Sequence, residues 1–413
     1  MKNSLLMIFF ILSPIFHVCT LQAAELFSHC AYDITTNKIT GSNIDALSPV
    51  ASISKLMTSH WALSTYGSFH QFQDQIFFQE VSNDVFDVHI QGSLNPFFSN
   101  DSLNWLVVQL NQRQISQIRN LTFDENFIYM HDVDQLAAYD AIDFQTRYNQ
   151  TAEALRTSLN HLEKTYTRTK VKFNQRTGKT LPQKITLFVK KIKRGQSKMS
   201  SAAQFTLYSA PVVELLSQMN KTSNNHVADF FFEGLGGVKS FNIFTKENLN
   251  LNENEIRFVN GSGGPFFDKT RQKKFYNHAN CRTVIKVILD IQRRLNSENL
   301  NLWDLMTAVD PEASKNDKDL NPVNDYYSSS ITAYSLVGKT GTINPMIAFA
   351  GLVSTRDNRF LVAEFVRTKG SSEWNAARSQ ILDDLEIFIT SNGGPKELAL
   401  NNKIFLSFSD EVN

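Results

Sequence analysis

Eight residues, Val50-Ala51-Ser52-Ile53-Ser54-Lys55-Leu56-Met57, restrict what the chain can fold into more than any other stretch. Past Lys55 the apolar residues Leu56, Met57, Trp61 and Leu63 recur at near-helical spacing until Gly67 interrupts them. The spacing predicts a helix that starts at Ser52 and carries Lys55 one turn on, on the same face, because residues three apart are neighbours on a helix. A hydroxyl at neutral pH is a poor nucleophile and needs a base within hydrogen-bond reach. A lysine serves as that base only where burial or nearby positive charge lowers its pKa. The helix N-terminus also aims backbone N–H groups at any oxyanion formed beside Ser52. This is the only S-x-x-K of the chain. Alone, it is better read as an ordinary capped helix with a solvated lysine.

The first 24 residues carry one lysine, Lys2, then an apolar run from Leu5 to Val18, then Leu21-Gln22-Ala23-Ala24. This is the pattern of a secretory signal with cleavage after Ala23 or Ala24, its apolar core short for a bilayer span. Cys19 follows Val18 rather than a small residue, against a lipoprotein signal, while an uncleaved N-terminal anchor is the other reading of the run. No later stretch is long and apolar enough to cross a membrane. About 390 residues then remain with a net charge near zero, enough for two or three domains with a sizeable core. Thirty-two phenylalanines with sparse Pro and Gly exclude a disordered chain. Two cysteines are left, Cys30 and Cys281, and they fit a disulfide or two buried thiols. Neither has a ligand-spaced neighbour that would suggest a metal.

Residues 25–40 read as a β-hairpin turning at Thr35-Thr36-Asn37. From Phe69 to about Gln204 the pattern runs strand, helix, strand, helix, strand, with a first helix over Asp101–Gln114, a second over Thr151–Leu162, and strands near Val171 and Ile185. That suggests a separate inserted α/β domain. Within it, residues 164–198 hold twelve Lys or Arg and no Asp or Glu. This is either a solvated β-hairpin or a contact surface for an anionic polymer such as a cell-wall polysaccharide. Nucleic acid is a poor partner for an exported chain.

Beyond the insertion, Ser209–Asn220 reads as a helix opened by Pro211, and Val227–Phe232 as another. The tight connection between them holds Ser223-Asn224-Asn225. S-x-N occurs seven times in the chain, so it is the position between two apolar helices that singles out Ser223 and Asn225. After a turn cluster at Asn260–Pro265 and a helix over Ala279–Leu295, the run Tyr334–Thr342 reads as a strand that ends in the only K-T-G, Lys339-Thr340-Gly341. It is not a nucleotide-binding loop, because that motif needs a glycine where Ala333 stands. Strands at Met346–Val353 and Phe360–Val366 and an amphipathic helix at Glu373–Thr390 follow.

S-x-x-K, S-x-N and K-T-G in this order resemble the active-site set of the penicillin-recognising serine enzymes. The long stretch between the first two motifs resembles the low-molecular-mass class C penicillin-binding proteins, the D-Ala-D-Ala carboxypeptidase/endopeptidase family. Ser209-Ala210-Pro211, Ala228-Asp229, Gly261-Ser262-Gly263 and Gly338–Thr342 followed by Ala350-Gly351 are similar to that family as well. The family usually carries Asp-Gly-Ser-Gly-Leu-Ser where this chain has Asn260–Pro265, and often nests a third domain that is absent here around Met130–Asn149. The resemblance implies an α+β fold, an antiparallel sheet flanked by helices with a helical subdomain. The catalytic domain would be 25–68 plus 205–413, with an inserted α/β domain at 69–204. It implies a periplasmic serine DD-peptidase acting on peptidoglycan stem peptides, acylated by β-lactams and needing no metal or organic cofactor. Ser52 would be the nucleophile and Lys55 its base, and Ser223 would relay a proton to the leaving amine. Asn225 would hold Lys55 or the substrate amide. Lys339 would supply positive charge, Thr340 and Thr342 would bind the substrate carboxylate, and Gly341 would lie between them. The alternative is a non-catalytic peptidoglycan-binding or sensing module on the same scaffold. A β-lactamase fits less well, given the long insertion.

Overall fold

The computed structural model describes residues 25–130, 144–196, 203–268, 270–312, 321–400 and 403–412. The expected secretory segment, 1–24, and most of the expected polar connection, 131–143, lie outside the described residues. The fold is α+β, built on two six-stranded sheets. The first is antiparallel, in the order Thr307–Ala308, Leu336–Ile343, Met346–Ser354, Arg359–Arg367, Glu25–Asp33, Lys38–Ser42. Both faces of its centre are buried, so its strands read as nearly continuous apolar runs. Alternate residues still sort to opposite sides. Ala348, Ala350 and Leu352 join Leu361, Ala363 and Phe365 in the core beneath the Ser54–Tyr66 and Cys281–Ser297 helices. Ile347, Phe349 and Val353 join Val362 and Val366 under Ala377, Ile381, Leu385 and Ile389 of the Trp374–Ser391 helix. Those four helix residues, spaced by four, form the apolar stripe that fastens this helix to the sheet.

Cys30 and Cys281 form a disulfide between the Glu25–Asp33 strand and the Cys281–Ser297 helix, 251 residues apart in sequence. It resolves the choice that the sequence left open. Closing so long a loop removes much entropy from the unfolded chain.

The second sheet has the order Phe408–Val412, Ala203–Ser209, Gln73–Ser82, Val85–Gln91, Gln117–Phe123, Phe188–Arg194. It packs against the Asn100–Gln112 and Leu162–Thr177 helices around its own core, in which Trp105 stacks on Phe173 and Phe408. Val171, expected in a strand, lies in the second of these helices. The helix is held by Leu162, Tyr166, Thr169 and Phe173, an i, i+4, i+7, i+11 stripe, while Val171 faces outward. Among the described residues, the basic run 164–196 is therefore a helix and an edge strand joined by a loop rather than a hairpin. Among the described residues, Lys172 pairs with Asp101, Arg176 with Glu214 and Lys179 with Asp410, each acid on another element. Lys190, Lys191 and Lys193 are exposed on the edge strand Phe188–Arg194, where lysines discourage pairing with another chain.

One buried acid makes stability depend on pH. Glu364 stands between Val362 and Val366 on the face covered by the C-terminal helix, and its Oε2 has no hydrogen-bond partner. Burial first, and the nearby Asp384 carboxylate second, push it up to about 8. The folded chain thus keeps a proton that the unfolded chain releases from about pH 4.5 upward, so stability falls as pH rises towards about 8. Glu364→Gln is expected to leave stability little changed at about pH 4 and to raise it at about pH 9. The gain should be on the order of 1.4 kcal/mol for each pH unit over which only the unfolded chain has lost the proton. Denaturant melts of both proteins at the two pH values check the sign.

Candidate active site

The nucleophile turn is the short 3₁₀ segment Ala51–Ile53, which runs straight into the Ser54–Tyr66 helix. Ala51 takes a left-handed backbone, φ 46°, and Ser223 does the same at φ 54°. Non-glycine residues adopt that region at a cost, and such strain collects at functional sites. Two close approaches keep the turn in place. A Cβ on Gly263 would lie 1.8 Å from the Ala51 carbonyl oxygen, and one on Gly341 would lie 3.0 Å from that of Val50. The 260–264 loop and the K-T-G strand therefore both press on the residues around Ser52, and each does so through a glycine.

Lys55 is fully buried, and its Nζ meets three acceptors. It donates to Ser52 Oγ at 3.0 Å, to Asn225 Oδ1 at 2.7 Å and to the Ser262 carbonyl at 2.9 Å. Three acceptors match the three N–H donors of an ammonium. When Lys55 loses a proton, the choice of where its lone pair points is forced. The amide and carbonyl oxygens accept only, whereas the Ser52 hydroxyl can also donate. A neutral Lys55 consequently aims its lone pair at Ser52, in the position of a general base. Burial pulls its pKa well below the lysine range, partly offset by the Asp229 carboxylate.

The second lysine is arranged differently. Lys339, 1% exposed, donates to Ser223 Oγ at 2.9 Å and to the Thr340 carbonyl at 2.9 Å. Burial, then the positive charge of Lys55, pushes Lys339 well down. Repulsion is mutual, so the site resists both lysines being charged at once. Asn224, between the two motif residues, caps the Asn225–Gly234 helix by accepting from the His226 and Val227 amides at 3.0 and 3.1 Å. That cap explains why the connection is so tight, and it sets Ser223 and Asn225 towards different lysines. All eight expected site residues are thus placed: Ser52 and Asn225 on Lys55, Ser223 and Thr340 on Lys339, Gly341 against Val50, and Thr342 two residues along the same strand face as Thr340.

Two further residues belong to the site. Asp229 lies four residues after Asn225, hence on the same helix face. It accepts from the Ser262 amide at 2.8 Å, so it holds the loop whose carbonyl receives Lys55. Its own pKa is raised by burial against the pull of Lys55. Asn277 donates to Ser54 Oγ at 3.0 Å and to the Asn260 carbonyl at 2.7 Å, tying the nucleophile helix to the same loop. Asn260 closes that loop from both sides, accepting from Gly263 N at 2.8 Å and donating to the Gly264 carbonyl at 2.9 Å. An aspartate at 260 could do only the first. The i+4 spacing was a signal for Asp229; nothing local singles out Asn277.

Asp229 attracts the charged form of Lys55, so Asp229→Asn is expected to lower the Lys55 pKa further. A step that needs neutral Lys55 rises with pH through that pKa, so the acid limb of acylation should move to lower pH in the variant. Rate profiles between about pH 4 and 9 test this. A uniformly slower profile of unchanged shape would mean that Asp229 only supports the loop.

No family model and no curated protein matches the chain. Solved structures do. Bd0816, a predatory endopeptidase from Bdellovibrio bacteriovorus in complex with immunity protein Bd3460, superposes with a TM-score of 0.84 at 26% identity, covering 94% of this chain and 99% of its own. Bd3459, a predatory peptidoglycan endopeptidase of the same organism, gives 0.82 at 28% identity over 94% and 100%. It has also been solved acylated by penicillin G. Penicillin-binding protein 4 of Haemophilus influenzae, at 13% identity, shares the fold, with a TM-score of 0.57 over 87% of this chain and 96% of that one. The likeness spans nearly the full length of each protein, and in this chain the three motifs meet around two buried lysines. In fold, over nearly its full length, the chain is similar to these peptidoglycan endopeptidases, which are of the low-molecular-mass class C penicillin-binding type.

Proposed function

We propose that the protein is a serine DD-peptidase that cleaves a D-Ala-D-X bond in peptidoglycan stem peptides through an acyl-enzyme. The observation that carries this reading is the set of contacts around Lys55, which leaves Ser52 as the only group able to receive the lone pair of the neutral amine. Ser52 Oγ attacks the scissile carbonyl as Lys55 takes its proton. Backbone N–H groups of Ser52 and Thr342 stabilise the oxyanion, the close approach at Gly341 bringing the two segments together. The leaving amine collects a proton through Ser223, whose hydroxyl is held by Lys339. Water then attacks the acyl-enzyme and regenerates Ser52.

The same reading covers what surrounds the site. The catalytic unit is 25–68 with about 210–400. The insertion, expected to end at 204, runs on through the Ala203–Ser209 strand and is completed by the tail strand Phe408–Val412, because both pair in its sheet and add to its core. The exposed lysines at 190, 191 and 193 offer a contact to an anionic wall polymer. Export to the periplasm is supported by the Cys30–Cys281 disulfide, since such bonds persist in oxidising compartments. No helix among the described residues is long and apolar enough to cross a membrane.

The experiment is digestion of purified cross-linked muropeptides, followed by chromatography and mass spectrometry. Conversion of dimers to monomers, or loss of a terminal D-Ala, is the expected outcome. Binding of muropeptides without any turnover would identify a recognition module instead.

A further inference from the structure

Arg378 lies on the C-terminal helix, one residue past Ala377 of the stripe that packs on the sheet. Thr342 stands on the same side of that sheet. It pairs with Ile347, and Thr340 pairs with Phe349, both of which belong to the core under this helix. Arg378 Nη2 donates to Thr342 Oγ1 at 3.3 Å, and Nη1 donates to Asn375 Oδ1 at 3.1 Å. The guanidinium carbon lies 3.9 Å from the centroid of the Tyr326 ring and 5.9 Å from that of Trp374. Its Nε is buried without a hydrogen-bond partner, and no carboxylate pairs with it among the described residues. The position is also near the positive end of a helix, where a cation gains nothing from the backbone dipole.

An arginine placed this way is held in orientation by aromatic rings and one amide, and its charge is left without a counter-ion. We propose that Arg378 recognises the substrate carboxylate next to the scissile bond, together with the hydroxyl of Thr342. The inference rests on the DD-peptidase reading above and adds a residue that none of the three motifs contains. A planar guanidinium offers paired N–H donors that match a carboxylate, which an isolated ammonium cannot do. The ligand class is therefore a peptide with a free α-carboxylate on the leaving residue, discriminated from the same peptide as its amide.

The test uses the full protein and two peptides ending in D-Ala-D-Ala, one with a free carboxylate and one with a C-terminal carboxamide. Arg378→Ala is expected to lower kcat/KM on the carboxylate peptide by roughly 10–100-fold, mainly through KM, and to leave the carboxamide peptide unaffected. Arg378→Gln keeps a planar donor over Tyr326 without the charge and should show the same selective loss, which guards against a folding defect in the alanine variant. Arg378→Lys should recover part of the preference. An equal loss on both peptides would assign Arg378 a purely structural role and overturn the inference, as would an unchanged preference in an active enzyme. Wild-type protein inactive on both peptides but able to open cross-linked muropeptides would overturn the inference alone, and inactivity on the cross-links as well would overturn the DD-peptidase reading with it.

Discussion

Lys55→Ala is expected to slow acylation of Ser52 by roughly 10²–10⁴-fold, the range for loss of a positioned general base. The reason lies in the three acceptors around Nζ, at 3.0, 2.7 and 2.9 Å, only one of which can give a proton back. Alanine removes the base and also strands Asn225 Oδ1, the Ser262 carbonyl and the Asp229 carboxylate in a buried site, so a second variant is needed to separate chemistry from packing. Lys55→Arg supplies donors to the same acceptors and a charge for Asp229, yet it stays protonated and has no lone pair to offer. Both variants should therefore lose acylation, while the arginine variant keeps more of the wild-type melting temperature. Stopped-flow labelling with a fluorescent penicillin and a thermal melt measure the two quantities. Near-normal labelling of Lys55→Arg would remove the base role from this residue.

Lys339→Ala is expected to cost roughly 10²–10³-fold in acylation, on the order found when a preorganised electrostatic group is removed. Lys339 orients Ser223 Oγ, and when protonated it disfavours the charged form of Lys55, because the two buried lysines repel. Both effects act on the transition state, whereas attraction for a substrate carboxylate acts on ground state and transition state alike. Acylation should therefore suffer more than binding of an unreactive D-Ala-D-Ala analogue measured by calorimetry. Lys339→Arg should recover some binding and little rate, since a planar fork does not replace a compact ammonium between Ser223 and the Thr340 carbonyl. Equal losses in rate and affinity would leave Lys339 as a binding residue alone.

The motif residues were legible because their chemistry fixes local spacing. Ser52 and Lys55 had to be one helical turn apart, and the Asn224 cap had to hold Ser223 and Asn225 in a short connection. The antiparallel strands from Leu336 to Arg367 were legible for a similar reason, since apolar runs and tight turns are local signals. What stayed hidden depends on partners far away in sequence. The tail strand Phe408–Val412 is defined by pairing with Ala203–Ser209, about 200 residues earlier. The Leu162–Thr177 helix was masked by β-branched Thr and Val among its lysines, although its buried stripe has helical period. The Gly237–Leu249 helix went unread because it opens directly on a Gly-Gly pair that reads as a breaker. Asn277 and Arg378 make their contacts across the fold, Asn277 to Ser54 and Asn260 and Arg378 to Thr342 and Tyr326, which no local pattern announces.

The central claim is that Ser52 is the acylated nucleophile, and the most direct measurement is intact mass spectrometry of the penicillin-treated protein followed by peptide mapping. One adduct per chain is expected, on the peptide that carries Ser52, and none on Ser52→Ala protein that still melts cooperatively. An adduct on any other serine, undiminished labelling of Ser52→Ala, or a folded wild-type protein that takes up no penicillin would contradict it.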